Sequence, residues 1–421
     1  MSSAITTSVP PEALTSSTRL LAREVAIDLD LLDFAGDDGL LFARDGLGFA
    51  GRGEALRLRL PRGLADSHGV TEILRRITRR GDDVGVAGGP VALGALPFVP
   101  TEEGSLIVPA VLAVKDGDGT VWITRTGPGD SVEDCGFHLP APRSTAWSPS
   151  DFDLRTAMPH DQWCALIAAT VDRINHGDLD KVVLARAIDV TADGPIVVGD
   201  VLERLRTLFP SCTVFSIEGF VGASPELLVG RLGDQVAAHP LAGTVARSGD
   251  PDDDARRAAG LLASSKDRWE HALTIDAVAA VLRPLCHALD VPEVPSIVAL
   301  RNVSHLGTYV RGQLRPPLPS SLDLVAALHP TPAVGGVPTD KALALIEATE
   351  PHGRGRYAGP VGWIDAAGNG EWMVGLRSAQ ISGNRARMMA GGGIVADSDP
   401  KAELAETQFK FQALLAAIVR P

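Results

Sequence analysis

The alternation of hydrophobic and polar residues in the first third of the chain predicts short strands. Leu56–Leu60 alternates leucine with arginine, which is the pattern of a strand with one buried face. The apolar runs at 84–99 and 106–114 are punctuated by glycine and proline, which suits strands separated by turns better than long helices. We therefore expect this part of the chain to be rich in β-structure.

In the rest of the chain, strand-like stretches alternate with helical ones, which indicates mixed α and β structure. The predicted helices span residues 161–173, 254–262, 266–289, 341–350 and 400–418, and the predicted strands span 181–190, 214–220, 358–364 and 372–381.

The polar N-terminal segment bears on domain organisation. It predicts a frayed tail over residues 1–17, with order starting near Thr18. Residues 143–153 are rich in proline, serine and aspartate, and they fit either a linker or a loop inside one fold. We therefore distinguish only a less typical N-terminal part, 18–160, from a motif-bearing part, 161–421.

Composition and charge exclude several classes of protein. Of 421 residues, 45% are hydrophobic and 22% are charged, which are the proportions of a soluble globular protein. The formal net charge is −13 and no block of lysine and arginine stands out, so we expect no nucleic-acid partner and no membrane attachment. An acidic protein that binds an anionic substrate needs a locally positive pocket.

The cysteines and the N-terminus bear on the compartment. Cys135, Cys164, Cys212 and Cys286 are far apart and form no CxxC pair, which argues against a zinc ribbon or a disulfide scaffold. Residues 1–9 have neither the basic start nor the apolar core of a signal peptide, and no run of about 18 apolar residues occurs. We therefore expect a cytoplasmic protein.

Two predicted helices carry acidic residues along one face each. Asp267 and Glu270 are three residues apart, and Glu403, Glu406 and Lys410 follow one another at spacings of three and four. Four carboxylates on two helices would suffice for a hard cation such as Mg2+, which needs only a few protein ligands. The same residues also suit the acidic first turns of ordinary helices, so spacing alone does not identify a metal site.

Three further features are ambiguous by themselves. The glycines at 391–393 can bring backbone N–H groups close to an anion, but most glycine triplets are turns. Arg377 lies inside a predicted apolar strand and needs either an acidic partner or a bound anion. Lys181 begins a predicted strand and Glu226 follows Pro225, and each of them alone fits a surface strand end or a turn.

Taken together and in order, however, segments of the motif-bearing part resemble the chorismate-utilising enzyme family, which includes isochorismate, salicylate, anthranilate and aminodeoxychorismate synthases. The resembling segments are KVVL at 181–184, GASPE at 222–226, PLAGT at 240–244, KDRWEH at 266–271, HPTPAVGG at 329–336, YAGP at 357–360, GEWMVGLR at 370–377 and the stretch 391–407. The N-terminal part is similar only at GALPF, 94–98. An ordered run of segments is far more specific than any single motif.

The resemblance implies a fold and a reaction. The fold is α+β, a single large domain over 18–421 in which two mostly antiparallel β-sheets pack as a sandwich with helices on the outside and the site in a cleft. The reaction is the Mg2+-dependent isomerisation of chorismate to isochorismate, by water addition at C2 and loss of the C4 hydroxyl. The resemblance implies that Lys181 is the base of this reaction and Glu226 the acid. We expect burial to disfavour the charged form of each side chain.

The resemblance also implies the metal and substrate contacts. Glu270 and Glu406 are expected to coordinate Mg2+, and Glu403 and Asp267 to act directly or through water, although family members commonly carry glutamate in place of Asp267. The expected substrate contacts are Gly243, Thr244, His305, Ala333, Tyr357, Arg377, Gly391, Gly393 and Lys410. Chorismate is the partner that the resemblance implies, and no obligatory protein partner is expected.

Ala333 bears on which reaction of the family the chain performs. The members that eliminate pyruvate usually resemble one another in carrying threonine there, so alanine favours the isomerase. Salicylate synthase, which forms isochorismate and then loses pyruvate, is the main alternative, and the anthranilate-type enzymes, which generally lack a lysine equivalent to Lys181, are less favoured. A non-catalytic protein that binds the same dianions is the alternative from another class. The sequence does not separate a menaquinone pathway from a siderophore pathway.

Overall fold

The computed structural model describes residues 6–7, 18–25, 27–81, 89–128 and 149–419. Of the predicted tail 1–17, the described residues include Thr6–Thr7, which form a short strand. Cys135, the start of the predicted apolar run 84–99 and most of the segment 143–153 lie outside the described residues.

Within the described residues, ten strands form one antiparallel sheet, here called the smaller sheet. In sheet order its strands are β1 (Thr6–Thr7), β5 (Leu56–Leu60), β8 (Gly104–Val108), β7 (Val91–Ala95), β23 (Pro360–Asp365), β24 (Gly370–Val374), β15 (Leu227–Leu232), β16 (Gln235–His239), β21 (Val310–Leu314) and β18 (Cys286–Asp290). The strand predicted at Leu56–Leu60 is confirmed: its three leucines are buried and Arg59 is exposed.

A second sheet, here called the larger sheet, is antiparallel except where β2 and β6 pair in parallel. In sheet order its strands are β11 (Phe152–Thr156), β12 (Lys181–Ala192), β26 (Arg385–Ile394), β25 (Ser378–Ser382), β14 (Phe220–Ser224), β13 (Thr213–Ile217), β3 (Leu40–Arg44), β4 (Leu47–Arg52), β9 (Val111–Lys115), β10 (Val121–Pro128), β2 (Thr18–Val25) and β6 (Thr78–Gly81), with β22 (Gly336–Val337) beside β12. A small third sheet, which the sequence did not predict, contains β17 (Leu241–Ala246), β20 (Val303–Gly307) and β19 (Ser296–Ala299).

Helices join and cover these sheets. They are α1 (Leu31–Ala35), α2 (Val70–Arg75), α3 (His160–Asn175), α4 (Val198–Leu208), α5 (Pro251–Ala263), α6 (Ser265–Leu282), α7 (Ser321–Leu328), α8 (Thr339–Thr349) and α9 (Pro400–Val419). Side-chain caps start two of the helices that bear the predicted site: Ser264 Oγ accepts a hydrogen bond from Asp267 N–H, and Asp399 Oδ1 accepts one from Ala402 N–H. No helix in the described part of the chain is long and apolar enough to span a bilayer.

The two large sheets face each other across an apolar layer. Phe42 and Phe215 of the larger sheet and Val361 and Met373 of the smaller sheet belong to one buried cluster there. Helices α4 and α9 cover the outer side of the larger sheet, and α7 packs against β15 and β24 of the smaller one. The predicted α+β sandwich with outer helices is therefore confirmed.

The strands of the N-terminal part do not form a separate layer. β7 pairs with β23, and β3 pairs with β13, so both large sheets combine strands from the two parts distinguished in the sequence. The described strands before residue 129 thus belong to the same sheets as the predicted site.

Three predicted elements are wrong in their extent. The strand predicted over 214–220 is two strands, β13 and β14, which a turn at 218–219 joins. The helix predicted over 266–289 ends at Leu282, because Pro284 follows and a short 3₁₀ turn leads into strand β18. The strand predicted over 372–381 is two strands, β24 and β25, which belong to different sheets. The interruption at 375–377 contains Arg377, which therefore does not lie inside a strand.

Candidate active site

Two crossings between the large sheets bring the predicted acid and the predicted arginine together. Glu226 lies where the chain passes from β14 to β15, and Arg377 lies where it passes from β24 to β25. Ala223 N–H donates to the carbonyl of Arg377 at 3.2 Å, and Val374 N–H donates to the carbonyl of Glu226 at 3.0 Å. The two crossings therefore run side by side, and they hold the two side chains at one place in the sandwich.

Glu226 is buried at this crossing, with 3% of its surface exposed. Burial raises the pKa of its carboxyl from 4.5 to about 8, although a hydrogen bond from Leu241 N–H and the charges of Lys181 and Arg377 oppose the shift. The side chain therefore carries a proton at neutral pH and is able to donate it.

Arg377 adopts a left-handed backbone conformation with φ of 45°. Its guanidinium contacts an imidazole: Nη2 donates to Nε2 of His305 at 2.9 Å. Because Nε2 accepts, the ring hydrogen is assigned to Nδ1, which lies 3.1 Å from Oγ1 of Thr244. Burial, and then the charge of Arg377, hold the pKa of His305 well below its usual range, so the imidazole is neutral.

Lys181 is the first residue of β12 and is fully buried. Its Nζ lies 3.0 Å from Oε1 of Glu270. A Cβ at position 393 would come within 3.2 Å of Lys181 Cε and would collide with the Glu270 carboxylate. Gly393 therefore leaves the space that the lysine and the carboxylate occupy.

The four predicted metal ligands lie on α6 and α9, near enough for their charges to interact. Three of them pair with lysines: Glu270 with Lys181 at 3.0 Å, Glu406 with Lys410 at 2.7 Å, and Glu403 with Lys266 at 3.7 Å. The fourth, Asp267, hydrogen-bonds with the helix cap Ser264. The lysines thus supply the positive charge that gathered carboxylates need.

The carboxylates are close enough to disfavour one another's charge. Burial, and then the charge of Glu406, raise the pKa of Glu403 to about 7. Burial is also the largest cause of the raised pKa of Asp267, and the charge of Glu270 adds to it against a hydrogen bond from Ser264. Oε2 of Glu403 is buried and has no hydrogen-bond partner. Such a cluster is stabilised by positive charge.

These residues fit a hard divalent cation, since every donor is a carboxylate oxygen and one buried oxygen lacks a partner. Gly392 adds to the fit, because a Cβ there would lie 2.9 Å from Oε2 of Glu403. Within the described residues, no three carboxylate, imidazole or thiol groups are already arranged as a metal site. Glu270 and Glu406 instead face Lys181 and Lys410.

One cavity, open to solvent, lies between these elements. All the predicted site residues except Lys181 line it: Glu226, Gly243, Thr244, Asp267, Glu270, His305, Ala333, Tyr357, Arg377, Gly391, Gly393, Glu403, Glu406 and Lys410. Lys181 lies behind Glu270 rather than in the wall. The structure therefore brings the predicted residues to one cleft, and it does not expose the lysine there.

The wall also contains residues that the sequence did not single out. Lys266 lies one helical turn before Glu270, and this spacing of four was a signal that could have identified it. Phe411 and Leu414 of α9 and Val183 of β12 add an apolar wall. Their types are ordinary for a core, so no local signal marked them.

Comparison with known proteins is consistent with this cleft. Residues 138–419 match the family model described as "Chorismate binding enzyme". The chain is similar to isochorismate synthase DhbC of Bacillus subtilis, with 37% identity over 83% of this chain and 84% of the relative. It is also similar to isochorismate synthase EntC of Escherichia coli K12, with 36% identity over 77% of this chain and 80% of the relative. The solved structure of MenF, the menaquinone-specific isochorismate synthase of Escherichia coli, superimposes with a TM-score of 0.79 at 26% identity, covering 96% of this chain and 95% of that one.

Proposed function

The chain belongs to the chorismate-binding enzyme family, and from that premise we propose that it converts chorismate to isochorismate. The observation that carries the proposal is the burial of Glu226, which raises its pKa, in a cleft whose wall residue Glu270 lies 3.0 Å from Lys181. The relatives at 36% and 37% identity whose names state this activity cover most of the chain, which supports the same reaction.

The isomerisation needs a base and an acid at two sites of one ring. Water adds at C2 and gives up a proton, the double bonds shift, and the C4 hydroxyl leaves as water after gaining a proton. We assign the first proton transfer to Lys181 and the second to Glu226. Because Glu226 is protonated near neutral pH, it begins the cycle in the state that an acid requires.

Lys181 serves as a base only as a neutral amine. In this structure its Nζ lies 3.0 Å from Oε1 of Glu270. Glu270, Glu406, Glu403 and Asp267 are the residues that would hold Mg2+, and the bound ion would supply positive charge for the ring carboxylate of the substrate.

Chorismate is a dianion, and the cleft supplies cations in an acidic protein. Arg377, Lys410 and Lys266 line the wall, together with the backbone of Gly391 and Gly393. We assign binding of the enolpyruvyl carboxylate to Arg377, whose guanidinium is oriented by its hydrogen bond to His305. Burial raises the pKa of the Tyr357 phenol, which keeps its hydroxyl protonated and able to donate to the same group.

Incubation of the purified protein with chorismate and Mg2+, followed by NMR of the products, tests this function. We expect isochorismate without stoichiometric pyruvate and without a requirement for ammonia. Formation of salicylate with pyruvate would show that the protein is a salicylate synthase. Ammonia-dependent formation of anthranilate would show that it is an anthranilate-type enzyme. Unchanged chorismate would contradict the proposal.

Variants at the two proton-transfer residues test the assignment of roles. We expect Lys181→Ala and Glu226→Gln each to lower kcat by at least about 100-fold while KM for chorismate changes little. Lys341→Ala, which removes an exposed lysine from α8, is the matched control and is expected to leave both constants unchanged.

A further inference from the structure

The strand that carries Lys181, β12, is only partly paired with other strands along one of its edges. One edge of β12 pairs with β26 throughout. On the other edge, β22 pairs with Lys181 and Val182, and β11 pairs only from Ile188 onward. The backbone groups between these two partners must be satisfied in some other way, because the strand is buried there.

A buried ion pair fills the middle of this gap. Glu350 Oε1 accepts a hydrogen bond from Ala185 N–H at 2.8 Å, and Arg354 Nη2 donates to the carbonyl of Val183 at 2.6 Å. The two side chains are joined by bonds of 2.7 and 2.9 Å and are 3% and 1% exposed. One accepts and the other donates along the strand edge, as a neighbouring strand would.

The same guanidinium also bonds the neighbouring segment of the cleft wall, which leads into β22. Arg354 Nη1 donates to the carbonyl of Val334 at 2.7 Å. Val183 and Val334 both line the cavity, and Val334 follows Ala333. The guanidinium stacks on Phe98 at 4.2 Å, so the N-terminal part of the chain covers the pair. Arg354 therefore adds a side-chain link between two wall segments that are also joined directly, since Val183 N–H donates to the carbonyl of Gly335 at 2.7 Å.

We propose that the Glu350–Arg354 pair is a positioning device for the reaction, which holds the strand bearing Lys181 and the segment bearing Ala333 at a fixed separation. The proposal rests on the proposed function, since it concerns the geometry of that site. The pair itself does not line the cavity, so it acts through Val183 and Val334. Shifts of about 1 Å in a reacting group can lower a rate by about 100-fold.

Arg354→Lys tests the pair with the charge retained. A lysine offers donors from one atom and cannot bond to Glu350, Val183 and Val334 in the fixed directions of a guanidinium. We expect kcat to fall by about 10- to 100-fold per folded molecule, with KM for chorismate within about threefold, because the proposed anion contacts are untouched. Glu350→Gln, which keeps an acceptor for Ala185 N–H, serves as a second variant if the first does not fold, and the same split between kcat and KM is expected.

Arg231→Lys is the matched control. Arg231 is also buried and donates to backbone carbonyls, those of Gly233 and Gly368, but it lies outside the cavity wall. We expect this variant to keep kcat within about twofold of wild type even if its melting temperature falls. An unchanged kcat in Arg354→Lys, or an equal loss in Arg231→Lys, would overturn the proposal.

Amide hydrogen exchange provides a readout that does not depend on turnover. In Arg354→Lys, exchange of the amides in 181–187 is expected to be at least about tenfold faster, whereas Arg231→Lys leaves this segment unchanged. If wild-type protein left chorismate unchanged, the proposed function would fail. Amide exchange would then be the remaining test of whether the Glu350–Arg354 pair positions β12. Faster exchange confined to Arg354→Lys would then support its positioning of β12, and unchanged exchange would overturn it.

Discussion

The protonated state of Glu226 depends on how the surrounding cations are already paired. Lys181, Arg377 and Lys410 all favour the charged carboxylate, yet burial outweighs them. Two of these cations have closer acidic partners, since Lys181 faces Glu270 and Lys410 faces Glu406. Their fields at Glu226 are therefore partly cancelled, and desolvation decides.

This predicts the alkaline limb of the pH–rate profile. Because Glu226 must hold a proton and its pKa is about 8, kcat should fall by about tenfold per pH unit above about pH 8. Glu226→Gln should lack this limb as well as most of its activity. Measurement of kcat between about pH 6 and pH 10 in both proteins checks the prediction, and a wild-type profile that stays level at about pH 9.5 would contradict it.

Stability should respond to the same proton. The pKa of Glu226 is higher in the folded protein than the unfolded value of 4.5. Its contribution to the free energy of unfolding is therefore fully present below pH 4.5 and is lost as pH rises through about 8. Glu226→Gln has no such titration, so it should gain stability relative to wild type between these values. Urea unfolding at pH 5 and pH 8 measures the difference, and equal differences at the two pH values would speak against a buried neutral carboxyl.

Gly393 offers a test of the contact between the lysine and the carboxylate. A methyl group there would collide with Glu270 and crowd Lys181, so Gly393→Ala should lower both kcat and Mg2+ affinity by more than about tenfold. Gly260→Ala in α5 is the matched control: its Cβ meets no atom, and it should stabilise the helix by about 0.5–1 kcal/mol. Calorimetric Mg2+ titration and kcat are the measurements. If Gly393→Ala bound Mg2+ with normal affinity, the proposal that Glu270 is a metal ligand would be contradicted.

At the scale of elements, α6 and α9 each bring acidic residues to the site and lysines that oppose them. The carboxylates of Asp267 and Glu403 are both disfavoured by burial and by their acidic neighbours. The arrangement lowers stability when no cation is bound, and the same repulsion strengthens the binding of a cation. Stability and metal affinity are thus expected to change in opposite directions.

Glu403→Gln separates these two effects. At pH 8, above the pKa of about 7, the variant should melt at a higher temperature than wild type in EDTA, because a buried and repelled charge is gone. Added Mg2+ should then raise its melting temperature less than it raises that of wild type. Glu347→Gln, on the exposed face of α8, should change neither value. A variant destabilised in EDTA would show that Glu403 contributes favourable contacts that outweigh the repulsion.

Local signals predicted some element boundaries and not others. The caps at Ser264 and Asp399 mark the starts of α6 and α9 in the sequence, because a side-chain acceptor satisfies free N–H groups at a fixed spacing. The break at Arg377 has no such mark. Trp372, Met373 and Val374 before it and Ala379 and Ile381 after it all suit a strand. Only the membership of β24 and β25 in different sheets separates them. Sheet membership depends on distant partners that local pattern does not specify.

The residues of the cleft were predicted unevenly for a related reason. Family resemblance identified most of the polar residues that line the cavity, whereas spacing alone indicated only the acidic faces of two helices. No local pattern in the sequence indicates the role of the Glu350–Arg354 pair, because Arg354 bonds Val183, which lies 171 residues away in sequence. A buried arginine is interpretable only once its acceptors are known.

At the scale of the whole molecule, the cleft depends on strands from the N-terminal part. β23 has β7 as a neighbour, β13 has β3, and most residues of the apolar layer between the sheets come from before residue 149. The family model, in contrast, matches only residues 138–419. The matched part of the sequence is therefore not a complete folding unit in this structure.

A fragment of residues 149–421 should consequently fail to fold by itself. Without β3 and β7, two internal strands acquire open edges, and apolar side chains such as Phe215 and Val361 lose the layer that covers them. We expect a non-cooperative thermal transition, dye binding to exposed apolar surface and no conversion of chorismate, whereas the full chain melts cooperatively. A monomeric fragment with a sharp transition would show instead that the N-terminal part is a separable domain, because its strands would then add little to a core that closes without them.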